Sequence, residues 1–505
     1  MKFKILATSD VHGFIMPYEY ADNKAQDMGF IGVYKAMSEM MDENTLLIDN
    51  GDILEGSPFL SYYYRFMNGC HIMAKLMNMT EYQYFNLGNH DFNYGIDNLL
   101  NYINNTNAKC ITGNVKYNGK VLGQDYTIHN FKNGIKIALI GVVTDYLRNW
   151  EKPENLVGIE IENAFDYVKK TVSKVKKTED VDAIVVVYHG GIERDLSTGK
   201  PTEKLTGENE GYRMLKEIKD LDILISGHQH RSIASKVFGK LVSQTADKAK
   251  EFASIDYDVA TKDGEVTLIK ATNEMKKDIY EAAKDVEINV QKWLDTPLGR
   301  VVDENLEIKD EFDARLNKHP LMTFLNKVAI AQTGADLAGN ALFNGARGFK
   351  KDITMRDIVS TYVYPNTLVV YEITGAILKK YLEKTAEYFA IEDGEIVVSK
   401  GFSYPKPQHF NYDMIDGVDY TIKVSNRTGQ RIIELKYQGE DVKEDDVFSL
   451  AISNYRASGG GNYFMFKGCK VLYDKPIDMV TIISDYIDKH KEIYVQHHPN
   501  IKVII

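Results

Sequence analysis

Five short strand-like runs in the first half of the chain each end in a small knot of Asp, His, Asn and Gly. FKILATS from Phe3 leads into Asp10-Val11-His12-Gly13, and TLLIDN from Thr45 leads into Gly51-Asp52. YFNLG from Tyr84 precedes Asn89-His90-Asp91, AIVVVY from Ala183 precedes His189-Gly190-Gly191, and ILIS from Ile223 precedes Gly227-His228-Gln229-His230. A sixth run, IALIGVVT from Ile137, lacks such an ending. Helical stretches separate the runs, which predicts an α/β layered fold with strands covered on both faces. In an open α/β sheet the carboxyl ends of the strands share one crevice, so the five knots should meet in space.

Convergent imidazole, carboxylate and amide oxygen are the donors of a divalent ion such as Zn, Mn, Fe or Co. Seven candidate ligands exceed the three or four protein ligands of one zinc, which points to two ions sharing a bridging carboxylate. Asp52, alone after its strand, is the natural bridge. Gly13, Gly51, Gly88, Gly190 and Gly227 stand beside these residues, where the chain must turn sharply. His71, His129 and His319 stand outside the knots and receive no role.

With 61 basic and 72 acidic residues the net charge is −11, and no long basic block is present. That argues against a nucleic-acid duplex or an anionic membrane surface as partner. Cys70, Cys110 and Cys469 lack CxxC spacing and read as ordinary buried thiols. No apolar run approaches the ~18 residues of a membrane span. The start MKFKILATSDVHG has no apolar signal core, so as given the chain is expected to be cytoplasmic, or exported if it has been trimmed. The pattern carries no signal for an oligomeric state.

Around residue 275 the periodicity changes: Met275, Ile279, Ala282, Val286, Val290 and Trp293 fall on one helical face, ending near Pro297 and Gly299. Further strand-like runs begin at Thr367, Asp419, Ile432 and Val447. The expected division is 1–272, a linker helix and connection over 273–318, and a second domain over 319–505.

In order and at strand ends, Asp-x-His, Gly-Asp, Gly-Asn-His-Asp, His-Gly and Gly-His-x-His resemble the motifs of the two-metal metallophosphoesterases. The resemblance implies that Asp10, His12, Asp52 and His230 hold one metal, that Asp52, Asn89, His189 and His228 hold the other, and that His90 faces the substrate phosphate. It extends to the 5′-nucleotidase family through Leu342–Gly348 (LFNGARG), Phe410–Gly417 (FNYDMIDG) and Ser453–Gly461 (SNYRASGGG). The implied fold is α/β: a four-layer-like metallophosphoesterase sandwich, a linker helix, and a C-terminal α+β nucleotidase domain. GNHDFNYG, FNYDMIDGVDY and NYRASGGG are most similar to the branch of 2′,3′-cyclic-nucleotide 2′-phosphodiesterase/3′-nucleotidases.

An aromatic ring is a platform for any nucleobase, contributing about 1–3 kcal/mol per stacked base. Tyr455 matches one stacking position of the family; Phe410 or Tyr412, expected on one face of a strand, matches the other, with Phe410 favoured. Asn344 and Arg347 match an Asn and Arg near phosphate and ribose, in a loop shorter than usual. Asn93 stands where AMP-specific relatives carry the Asp that orients the catalytic His, and Gly461 where relatives often carry Asp.

The expected activity is hydrolysis of 2′,3′-cyclic nucleotides to 3′-nucleotides and of 3′-nucleotides to nucleoside and phosphate. Hydroxide activated by two metals would attack phosphorus in line with the leaving ribose oxygen, with His90 stabilising charge or protonating that oxygen. A base clamp and a metal centre on separate domains also imply a closing rotation of the second domain. Alternatives are a 5′-nucleotidase or nucleotide-sugar hydrolase on the same scaffold, or a non-catalytic binding or adhesion protein.

Overall fold

Strict alternation along two neighbouring strands sets the layering of the N-terminal half. In the strand Lys136–Val143, Ile137 and Leu139 enter one buried cluster while Ala138, Ile140 and Val142 enter another. In Ala183–His189, Ala183, Val185 and Val187 join the first cluster, and Ile184, Val186 and Tyr188 the second. Successive side chains of a strand point to opposite faces, so a strand apolar on both faces must lie between two layers. The first cluster also takes Phe3, Ile5, Leu46 and Ile48 from the other sheet; the second takes Phe165, Val168, Val172 and Leu215 from helices. Each buried Val, Ile or Leu stabilises this arrangement by about 1.5–3 kcal/mol.

The computed structural model describes all residues from Met1 to Ile505, which divide into two units, Met1–Val290 and Gln291–Ile505. The first contains two six-stranded sheets. One runs Asp263–Lys270, Glu251–Asp258, Lys2–Thr8, Thr45–Asp49, Tyr84–Phe85, Lys109–Cys110; the other runs Ile233–Val237, Lys240–Gln244, Ile223–Ser226, Ala183–His189, Lys136–Val143, Thr127–Asn130. Lys2–Thr8, Thr45–Asp49 and Tyr84–Phe85 are parallel, as are Lys136–Val143, Ala183–His189 and Ile223–Ser226. Two asparagines tie the sheets together at their carboxyl ends. Asn50 Nδ2 donates to Tyr188 O at 3.1 Å, and Asn86 Nδ2 donates to Val142 O at 2.8 Å and Val187 O at 3.2 Å.

The helix Lys277–Leu294 buries Ile279, Ala283, Val286, Val290 and Leu294. Ile279, Val286 and Val290 of the expected face are buried, while Ala283 and Leu294 replace the half-buried Ala282 and Trp293, and Met275, which precedes the helix, is 44% exposed. The residues that follow it are structured. Pro297–Val301 pairs with Asp352–Thr354 and Glu492–Ile493, and Glu311–Leu316 is a helix capped by Asp310.

The second unit is built on a five-stranded sheet, in the order Asp413–Asp416, Leu337–Ala341, Val447–Ser453, Thr367–Thr374, Lys470–Asp478. The helix Pro320–Thr333 packs on its strand Leu337–Ala341. It starts with Pro at the first turn, the His319 ring accepting from Leu321 N, and stops at Gly334 with φ 71°. A four-stranded sheet joins Glu440–Asp441, Ile432–Tyr437, Asp419–Lys423 and Ile501–Ile504. Of the cysteines, Cys110 alone is buried; Cys70, expected inside, is exposed in the loop before the helix Ile72–Met77, and Cys469 is half-buried.

Candidate metal centre

Where the parallel strands end, the backbone turns into a conformation that L-residues rarely take. Asp10 (φ 56°), His12 (51°), Asp52 (55°), His228 (70°) and His230 (55°) are all left-handed. Asp, Asn and His tolerate this region better than most residues, and strain of about 1–3 kcal/mol per site persists only where the surroundings enforce it. The enforcing bonds are present. Asp10 N donates to Gly51 O at 2.9 Å, His12 N to Asp52 O at 2.7 Å, and His228 N to both Asp10 carboxylate oxygens at 3.1 Å. A Cβ on Gly51 would lie 2.2 Å from Gly88 N, so these two turns can approach only without side chains.

The five knots do converge. Asp10, His12 and His230 bring one ligand atom each within 4.8 Å of one another, and Asp52, His189 and His228 do the same. Asn89 Oδ1 lies 2.8 Å from His228 Nδ1. Asp52 stands between the two groups: Oδ2 is 3.0 Å from His189 Nε2 and 4.0 Å from His12 Nε2, while Oδ1 accepts from His90 N at 2.8 Å. Both Asp52 Oδ2 and His189 Nε2 are buried without a hydrogen bond. His12 Nε2 and His230 Nε2 approach to 3.1 Å, a contact that needs a hydrogen or a cation between them.

Electrostatics point the same way. Burial opposes charge at each group, yet the histidines hold Asp10 and Asp52 well below the usual carboxylate range, His189 being the main one for both. Reciprocally, against burial, Glu55 and Asp52 raise His12 to about 9, and Asp52 and Asp10 raise His189 to about 10. Two buried carboxylates thus demand positive charge, which the imidazoles supply as protons and which divalent ions would supply instead. The donor set and the orphaned Asp52–His189 pair fit such ions.

Residues that the sequence did not mark orient these ligands. His189 Nδ1 donates to Asn50 O at 2.6 Å and His12 Nδ1 to Glu55 O at 3.1 Å, which turns each Nε2 inward. His228 is turned the other way, with Nε2 3.0 Å from Glu208 Oε1 and the Trp150 ring parallel to it at 5.4 Å. Asp91 accepts from the backbone nitrogens of Asp52, Ile53, Leu54 and Gly88, bracing the turn that carries Asp52. Such outer contacts fix ligand orientation.

His90 sits at the rim, 28% exposed, its ring 5.5 Å from that of His12. Its Nδ1 lies 2.7 Å from Asn93 Oδ1, and Asn93 Nδ2 donates to Glu151 Oε2. The histidines without an expected role have structural ones: His71 caps the helix Ile72–Met77, His319 caps Pro320–Thr333, and His129 packs edge-on against Tyr84.

In the second unit, Phe410 and Tyr455 are half-buried neighbours, ring centroids 6.4 Å apart and planes at 65°. Phe410 lies in the 3₁₀ turn His409–Asn411, one turn ahead of the strand Asp413–Asp416, so it does not alternate with Tyr412 along a strand as expected. Tyr412 is fully buried, stacked on Tyr388 at 4.7 Å and edge-on to Phe389. It is a core residue and offers no face to a base, which corrects its assignment as a stacking candidate. Asn344 and Arg347 are exposed on one loop, and Asn344 Nδ2 donates to Pro407 O at 2.9 Å. The Phe410 turn is held by Arg456, a residue given no role from sequence. Its guanidinium forks onto Asp413 at 2.6 and 2.8 Å, donates to Phe410 O and Gly460 O, and stacks on Tyr463 at 4.0 Å.

The calcineurin-like phosphoesterase profile matches residues 3–232, and that of the 5′-nucleotidase C-terminal domain matches 299–468. A solved structure from Staphylococcus aureus, described as "Putative 5′-Nucleotidase" in complex with α-ketoglutarate, is 32% identical, covers 100% of both chains and superposes with a TM-score of 0.93. The chain belongs to the 5′-nucleotidase family of metallophosphoesterases. As a member of that family it is a hydrolase, with two groups of side chains fitted to the divalent ions the family employs. The Haemophilus influenzae 2′,3′-cyclic-nucleotide 2′-phosphodiesterase/3′-nucleotidase is 26% identical over 98% of this chain and 86% of its own. The trifunctional nucleotide phosphoesterase YfkN of Bacillus subtilis is 25% identical over 97% of this chain, which spans only 38% of YfkN. No helix of this family member is long and apolar enough to cross a membrane.

Proposed function

We propose that the protein hydrolyses 2′,3′-cyclic nucleotides to 3′-nucleotides, and 3′-nucleotides to nucleoside and inorganic phosphate. The observation that carries the phosphoester chemistry is the buried Asp52 Oδ2, without a hydrogen bond between His189 and His12 at the meeting of two ligand groups. Asp10, His12, Asp52 and His230 would hold one divalent ion, and Asp52, Asn89, His189 and His228 the other. When bound, such a pair supplies Lewis acidity that lowers the pKa of water and neutralises phosphate oxygens.

His90, beside this cluster and partly exposed, is the residue to meet the ester and to protonate the leaving ribose oxygen. Phe410 and Tyr455 would receive the base, and Arg347 and Asn344 the polar groups of the sugar phosphate. The preference for cyclic and 3′-esters is supported by relatives of that name at 24–26% identity.

A second reading, selectivity for 5′-nucleotides, is favoured by the 32% identity to the S. aureus protein. Phosphate release from 2′,3′-cyclic, 3′- and 5′-nucleotides, with Mn²⁺ or a chelator and with alkaline phosphatase in parallel, separates the two. Chelator-sensitive turnover of cyclic and 3′-substrates is the expected result; preference for 5′-nucleotides would replace the first reading by the second.

A further inference from the structure

We propose that Arg456 is a positioning residue for nucleoside binding, its guanidinium setting the distance and angle between the rings of Phe410 and Tyr455. This rests on the proposed role of those rings in receiving the base.

Arg456 is fully buried, and each hydrogen of its guanidinium has an acceptor. Nε and Nη2 donate to Asp413 at 2.6 and 2.8 Å. Nη2 also donates to Phe410 O at 3.1 Å, and Nη1 donates to Gly460 O at 2.7 Å and to Asn411 Oδ1 at 3.3 Å. Only a guanidinium offers this many hydrogens in one rigid plane. The plane is itself fixed: it lies on Tyr463 at 4.0 Å, and Asp413 also accepts from Tyr381 OH at 2.6 Å.

Two of the acceptors belong to the two walls of the clamp. Phe410 O is the backbone of the first ring. Gly460 O belongs to the segment on which the second ring rests, since a Cβ on Gly460 would stand 2.5 Å from two atoms of the Tyr455 ring. One rigid group thus holds the backbone under both rings. Gly461 is part of the same device. It takes the left-handed region at φ 69°, and a Cβ there would lie 2.5 Å from Asn411 Oδ1 and 2.6 Å from Arg456 Nη1. Any side chain at 461 would press on the guanidinium, so the glycine and the arginine depend on each other.

Calorimetry with adenosine and cytidine, together with KM and kcat for 3′-AMP and 3′-CMP, tests this on the full chain. R456K keeps a charge beside Asp413, but an ammonium has three hydrogens on a flexible stem and cannot span the remaining acceptors. It should weaken both nucleosides by about 5- to 50-fold and raise KM in proportion, while kcat falls by less than about threefold. G461A leaves Arg456 and Asp413 in place and should weaken both nucleosides in the same way; thermal denaturation verifies that each variant is folded. In the F410A background R456K should add less than about threefold, because the ring it positions is gone. A purely structural role requires the reverse: equal losses with and without the Phe410 ring, with stability and kcat falling and KM unmoved. That result would overturn the proposal, as would a loss confined to one base, which would make Arg456 a direct contact to the base edge. F410A that weakens nucleosides while R456K and G461A do not would remove the positioning role and leave the clamp. Parent protein that binds neither nucleoside would remove the clamp and the positioning role with it.

Discussion

His189 gives its Nδ1 hydrogen to the carbonyl of Asn50 at 2.6 Å and thereby commits Nε2 to Asp52, 3.0 Å away. The carbonyl belongs to the residue that also ties the two sheets together. Sheet packing and ligand orientation are one arrangement here, so the metal centre is as rigid as the sandwich beneath it.

Asp52 belongs to one ligand group, lies 4.0 Å from His12 of the other, and is the bridge in the proposed function. In D52N the second oxygen becomes a neutral amide, and affinity for at least one ion should fall by more than about 100-fold. E208Q, which alters only the partner of His228, should cost within the 10–100-fold typical of outer contacts. Metal content after dialysis and Mn²⁺ titration check both; D52N that still retains two ions would remove Asp52 as the bridge.

Metal loading should release protons. His12 and His189, raised to about 9 and about 10, carry protons at pH 7.5 in the metal-free protein and must shed them to offer lone pairs. Between one and two protons per chain should appear in calorimetry across buffers of differing ionisation enthalpy, and affinity should rise with pH up to about 10. The same shifts stabilise the metal-free fold below the unfolded histidine value near 6.5, a contribution lost as pH rises through 9 to 10. Proton-neutral binding would contradict this account.

His71 supplies a second pH dependence, in acid. Burial lowers it to about 4, and its Nδ1 must stay unprotonated to accept from Met73 N. Its folded value lies below the unfolded one, so the stability is present above pH 6.5 and is lost as pH falls toward 4, by about 3 kcal/mol at most. Asparagine keeps the helix-capping oxygen but does not titrate. Denaturation at pH 7 and pH 4.5 should therefore show a smaller acid loss for H71N than for the parent; parallel losses would assign the acid sensitivity elsewhere.

Phe410 and Tyr412, two residues apart, should fail in different ways. F410A removes a half-buried ring beside Tyr455 and should raise KM for nucleotides by about 5- to 100-fold, with stability little changed. Y412A opens a cavity under Tyr388 and should cost about 3–5 kcal/mol of stability. Steady-state kinetics and thermal denaturation on the same two proteins decide; a KM effect confined to Y412A would reverse the assignment.

The layered fold was legible because its strands are apolar on both faces, and the convergent ligands were legible because each follows its strand directly, as Asp10 follows Thr8 and Ser9. Glu151 and Glu208 were not, since each meets its partner only across the fold, Glu151 from 58 residues beyond Asn93. Arg456 lay inside a quoted motif, but its grip on Asp413 and Phe410 O depends on the turn at residues 409–411. That turn is also why strand alternation misjudged Tyr412.

The five left-handed residues at the strand ends restrict what can be built from this site elsewhere. Copying the ligands onto straight strands of another scaffold would aim them outward, because their convergence is set by φ angles that most side chains resist. A transplant would have to carry the glycines and the backbone bonds of the turns along with the histidines and aspartates. The smallest portable unit of this chemistry is a set of folded loops, not a constellation of side chains.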